Sequence, residues 1–134
     1  MAYALFAILL AFVAVDATVQ GGITLRNRRY VPLAEQTAVN TDLHLLSPLL
    51  YTLLLLTLWL LAGWVWPLAG ALLRVGLFDV ILNARRSDPL FYVGNTALVD
   101  KLLVAIAGSR ADILSAGLRV LAVSGVAAVL VYYG

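Results

Sequence analysis

The sequence predicts an all-α integral membrane protein with four transmembrane helices and one short amphipathic helix at the interface. Three observations carry that expectation. The run Leu45–Leu73 contains no charged residue, which suits hydrocarbon and has nowhere to go in water. Of the 134 residues, 63% are apolar and 12% charged, whereas a soluble domain is about half apolar and about a quarter charged. Finally, Arg26, Arg28, Arg29, Arg85, Arg86, Lys101 and Arg110 fall in stretches that four spans place on one side of the bilayer, as the positive-inside rule asks.

The length fits a single helical membrane domain covering residues 1–134. The first span is expected over about 2–19, apolar except for Asp16. Val15-Asp16-Ala17 loosely resembles a signal-peptide cleavage site, but no Lys or Arg opens the segment, so a retained span is the expectation. Gly21-Gly22 is read as a helix break, and the polar stretch from Gln20 to Asp42 as the first loop. Ser47-Pro48 then reads as the start of the second span, because proline is tolerated in a first helical turn.

Between Leu45 and Asn83 lie 39 residues, which as one helix would reach about 58 Å across a hydrocarbon core of about 30 Å. Two readings resolve this. A hairpin at Gly63-Trp64-Val65-Trp66-Pro67 gives spans over about 46–64 and 67–84, with tryptophans at the interface. The alternative, three spans in all, keeps one tilted helix over about 48–73, kinked at Pro67. Only the hairpin collects the cationic loops on one side, and it is preferred. An amphipathic helix is expected over about 97–107, with Thr96 capping its start and Gly108 ending it. Ser109-x-x-Asp112 fits a capping box for the last span, about 110–133. There Gly117, Leu121, Ser124 and Ala128 share a face whose small residues permit close helix contact.

The pattern Phe78-Asp79-x-x-Leu82-Asn83 followed by Phe91-Tyr92-x-Gly94-x-Thr96-x-x-x-Asp100-Lys101 resembles a segment of small membrane proteins of bacteria and their phages. In that group an apolar span with a late arginine leads into Phe-Asp, Asn, a Tyr-x-Gly-x-Thr stretch and Asp; Arg74 would be the arginine. Asp16 and His44 also have counterparts in the resemblance, which covers residues 74–101 well and the rest poorly. It implies a recurring structural unit and brings no activity.

With four spans, Asp16, His44, Asp79, Asn83, Asp100 and Asp112 gather near one membrane face. The intramembrane polar residues Asp16, Arg74, Asp79, Asn83 and Arg119 are expected to hold helices together, since a charge in lipid needs a partner. A sharper reading makes Asp16, His44 and Asp79, with Asp42 nearby, a metal or proton site. A third gives Arg26, Arg28, Arg29, Arg85 and Arg86, beside Tyr30 and Tyr92, to anionic lipid headgroups. Cysteine is absent, as are a G-x-S-x-G elbow, a P-loop and a dinucleotide fingerprint, so no catalytic set is predicted and no cofactor is required. The basic pI reflects few charges of either sign, so nucleic acid is not an expected partner.

The leading expectation is a structural subunit that self-associates or joins a larger membrane complex. An oligomeric pore using Arg74, Asp79 and Arg119 and a headgroup enzyme using Asp79, Asp100 or His44 are the alternatives. The expected location is a bacterial inner membrane with the cationic loops cytoplasmic.

Overall fold

The computed structural model describes the backbone of residues 1–30, 33–93 and 98–133, with side chains for all of these but 33–44 and 98. The chain is all-α. Its elements are α1 (Ala2–Tyr30), α2 (Leu33–Ala62), α3 (Val65–Leu73), a π-helical turn (Arg74–Phe78), α4 (Asp79–Arg86), α5 (Leu98–Ala107), a 3-10 turn (Gly108–Arg110) and α6 (Ala111–Tyr133). Among the described residues, four stretches are long and apolar enough to cross a bilayer: Ala2–Tyr30, Leu45–Ala62, Val65–Arg86 and Val99–Tyr133. The hairpin reading therefore holds and the three-span alternative falls.

The hairpin turns on Gly63, whose φ of +87° is readily adopted only by glycine. Its N–H donates to the Trp59 carbonyl at 3.0 Å, closing α2. Pro67 sits in the first turn of α3, where the N–H it lacks would have had no helical partner. Trp59 and Trp64 face outward, as interface residues should, but Trp66 is buried in the core with Leu9, Val13, Tyr51 and Leu73. One of the three tryptophans expected at the interface is thus a packing residue.

Several boundaries move. Gly21-Gly22 does not break a helix, and α1 runs on to Tyr30. A Cβ on Gly21 would meet Cβ and Cγ of Arg85 at 2.7 and 2.9 Å and the Leu82 carbonyl at 3.2 Å. The missing side chain lets α1 lie directly on α4, and this close packing outweighs a helix-propensity cost of about 1 kcal/mol. Pro48 lies inside α2, which begins at Leu33, so most of the expected first loop is helical. The capping-box reading also fails: the Asp112 carboxylate accepts from the Val93 N–H at 3.1 Å. Gly108, with φ +54°, does end α5 as expected, while Thr96 lies outside the described residues.

Each long helix buries one stripe. In α1 it runs through Leu9, Val13, Ala17, Gln20 and Asn27, and in α6 through Ala111, Ser115, Arg119, Ala122 and Val126, the spacing of a single helix face. The third span (α3, the π turn and α4) is the hub, packing on α1, α2 and α6. Gly76 is the buried residue of the π turn, where a Cβ would meet Val123 Cγ2 at 2.7 Å. The small-residue face predicted on α6 points away from the bundle, and a Cβ on Gly117 would meet nothing within 4 Å.

Gly21→Ala should therefore lower stability by about 1–3 kcal/mol, the usual cost of overpacking a close contact. Gly117→Ala, facing open space, should leave the unfolding midpoint in detergent unchanged or slightly raised.

Candidate functional site

Arg74 ends the α3 register ten residues beyond Trp64, about 15 Å along the axis and so near the middle of a hydrocarbon core about 30 Å thick. Its guanidinium is held on every side. Nη1 donates to Asp16 Oδ2 of α1 at 2.9 Å, and Nη2 donates to Ser47 Oγ of α2 at 3.0 Å. Ser47 in turn donates to the same carboxylate oxygen at 2.6 Å, and Gln20, one turn beyond Asp16, donates to Oδ1 at 2.8 Å. The rings of Tyr51 and Phe78 lie 4.7 and 4.3 Å from the guanidinium carbon, a cation–π sandwich that substitutes for water. Tyr51 is fixed by donating its hydroxyl to the Gly70 carbonyl at 2.6 Å. Both members of the pair are mostly buried.

A second network begins five residues on. Arg119 of α6, buried, donates through Nη2 to Asp79 Oδ2 at 3.3 Å and through Nη1 to the Leu90 carbonyl at 3.1 Å. Asn83 donates to the carbonyls of Leu90 and Tyr92 at 3.2 and 3.1 Å. α4 ends in a Schellman arrangement: Ser87 is left-handed (φ 62°), and Ser87 and Asp88 N–H groups donate to the carbonyls of Ala84 and Asn83. With Val93 on Asp112, the segment 87–93 is sewn to α4 and α6 by side chains.

At the same end of the bundle α1 and α4 are tied again. Arg86 Nη2 donates to Thr24 Oγ1 at 3.1 Å, and Arg28 pairs with Asp88 at 3.4 Å in an exposed position. The arginines of the two loops thus share one end, as the sequence predicts.

The expected gathering is met only in part: Asp79, Asn83 and Asp112 converge on the segment 87–93 through Arg119, Leu90, Tyr92 and Val93, but Asp16 stands apart from them. Asp16 lies midway along α1 on Arg74, while Asp79 is on Arg119. No group of three His, Cys, Asp or Glu side chains poised for a metal occurs among the described residues, and the His44 and Asp42 side chains lie outside them. The intramembrane polar set Asp16, Arg74, Asp79, Asn83 and Arg119 is all engaged. Ser47, Gln20, Tyr51 and Phe78 join the site in roles that the sequence pattern does not assign them. Ser47 and Tyr51 are four apart in a leucine-rich helix, and that shared polar face was the available signal.

Fold and site together define a multi-pass helical membrane protein whose bilayer-embedded charges are neutralised between helices of one chain. Comparison with protein-family models, curated proteins and solved structures found no match.

Arg74→Met or Asp16→Leu alone should cost on the order of 3–5 kcal/mol, because each strands a buried charge. The double variant should cost less than the sum in a double-mutant cycle read by unfolding in detergent. Arg28→Gln, breaking only the exposed pair with Asp88, should cost about 1 kcal/mol or less.

Proposed function

We propose that the protein is a non-enzymatic membrane subunit that scaffolds by assembling with further copies of itself or with a larger membrane complex. The observation that carries this reading is that Arg74 and Arg119 are each held by a carboxylate on another helix of the same chain. A water path or a headgroup-cleaving site needs charged groups that remain open to solvent or substrate. A shallow surface hollow of about 240 Å³ among the described residues is lined by Ala14, Val15, Thr18 and Val19, none of them ionisable. The outward faces of α5 and α6 supply the contact surface. Val99, Leu102, Ile106, Ile113, Val120 and Leu121 are exposed and apolar, and Gly117 leaves room for a neighbouring helix backbone.

The resemblance over residues 74–101 fits this reading. Arg74, Asp79 and Asn83 in that segment bind helix to helix and helix to loop, which is what a reusable structural unit requires. The charge distribution supports a bacterial inner membrane with the arginine-rich end in the cytoplasm.

Single-molecule photobleaching in liposomes should count more than one copy per particle, and Gly117→Leu should shift the count toward one without moving the unfolding midpoint. A protein that stays monomeric at high protein-to-lipid ratio and retains no stoichiometric subunit on purification would refute the assembly reading, and conductance across a planar bilayer would replace it with a pore. Orientation has its own check, aided by the absence of native cysteine. In intact cells an impermeant maleimide should label Trp64→Cys and spare Ser87→Cys.

A further inference from the structure

The last turns of α1 carry two rows of side chains with different fates. One row, Gln20, Thr24 and Arg28, recurs every fourth residue and is engaged by hydrogen bonds and an ion pair. Gln20 bonds Asp16, Thr24 accepts from Arg86, and Arg28 pairs with Asp88. The neighbouring row, Gly22, Arg26 and Arg29, has the i, i+4, i+7 spacing of another helix face. Arg85 of α4 crosses onto that row, its Nε 4.0 Å from where a Gly22 Cβ would stand. Arg26, Arg29 and Arg85 are all exposed and have no hydrogen-bond or ion-pair partner among the described residues.

Helix length fixes the depth of this row. α1 has 29 residues, about 43 Å, which matches a bilayer of about 40–45 Å with its headgroups. Arg26 lies 24 residues beyond Ala2, about 36 Å along the helix, past the hydrocarbon and within the phosphate layer. Tyr30 and Tyr92, both exposed at this end, suit the same layer. Asp88, a carboxylate at the same end of the bundle, is already engaged by Arg28. The close α1–α4 approach at Gly21 is what brings Arg85 beside Gly21 and Gly22, far earlier in the chain.

We propose that Arg26, Arg29 and Arg85 form a binding site for the phosphate of an anionic phospholipid headgroup, distinct from Arg28 and Arg86, which hold the helices together. This stands apart from the assembly reading, because it concerns arginines of α1 and α4 rather than the apolar faces of α5 and α6 and reads out lipid rather than copy number.

The test is native mass spectrometry of the full chain in detergent, titrated with phosphatidylglycerol or with phosphatidylcholine of the same acyl chains. The wild type should prefer phosphatidylglycerol at least tenfold. Arg26→Gln/Arg85→Gln should weaken that lipid on the order of thirtyfold, taking about 1 kcal/mol per cation, and leave phosphatidylcholine unchanged. Lys101→Gln/Arg110→Gln removes the same charge and should change binding less than threefold. Arg26→Lys/Arg85→Lys, which keeps the charge and guards against misfolding of the glutamine variant, should retain the preference. Equal loss in the two glutamine variants, no preference in the wild type, loss in the lysine variant, or displacement of the lipid by millimolar inorganic phosphate would each overturn the proposal.

Discussion

An arginine halfway through a bilayer has to be answered from inside the protein, and Arg74 is answered by two other helices at once. Leaving such a group bare at the membrane centre costs several kcal/mol even on the mildest scales. Asp16 neutralises it, Ser47 and Gln20 complete the hydrogen bonds of both partners, and two aromatic rings close the remaining faces. Each contact obliges a particular helix to be present at a particular depth. The placement of α1 and α2 against the third span follows from that obligation more than from leucine packing. Lipid tails offer those leucines almost the same environment as the bundle does.

The fourth span is tied in by the same logic in a different setting. From Arg74 to Phe78 the helix opens into a π turn, a rare single-turn bulge frequent at functional sites. Arg74 looks toward α1 and α2, and Asp79 toward α6. Gly76 between them lets the α6 backbone come close, within 3.4 Å of a Cβ placed on it. The Arg119–Asp79 pair is less enclosed, since the aspartate side chain is half exposed. Arg119 also secures the 87–93 segment through Leu90. One network therefore sets the depth of three spans, and the other sets how the fourth is joined to the loop preceding it.

The gross architecture was legible because it depends on long-range averages. Hydrophobic run length, the Gly63–Pro67 bend and the sidedness of arginines are properties of many residues at once. Local rules failed where the bilayer changes their sign. Gly21-Gly22 reads as a break in water, but within a membrane bundle the same pair is a contact surface for Arg85 and Leu82. Ser109-x-x-Asp112 reads as a cap, yet a loop N–H at Val93 was an alternative donor that no local window reveals. The intramembrane polar residues were identifiable as needing partners, but the pairings were not. A helix ending near Val19 puts Asp16 at a membrane face, whereas α1 runs on to Tyr30 and leaves it midway. Pro48 makes Ser47 read as a helix start, although both lie inside α2.

A leucine-rich helix such as α2 presents nearly equivalent apolar surfaces over much of its circumference, so many rotations would bury similar area. Leu54, Leu55 and Leu58 pack inward while Leu53, Leu56 and Leu60 face out, with no difference in chemistry to choose between them. Ser47 and Tyr51 make the choice. Turning α2 by a single residue would withdraw the serine from Asp16 and Arg74 and the tyrosine hydroxyl from the Gly70 carbonyl. That rotation would leave polar groups unsatisfied in hydrocarbon, a larger cost than any gain the leucines could return. Depth is fixed likewise, because a shift of one turn along α2 moves Ser47 about 5.4 Å, beyond hydrogen-bond reach. The polar residues thus define one arrangement among many that hydrophobicity alone would tolerate.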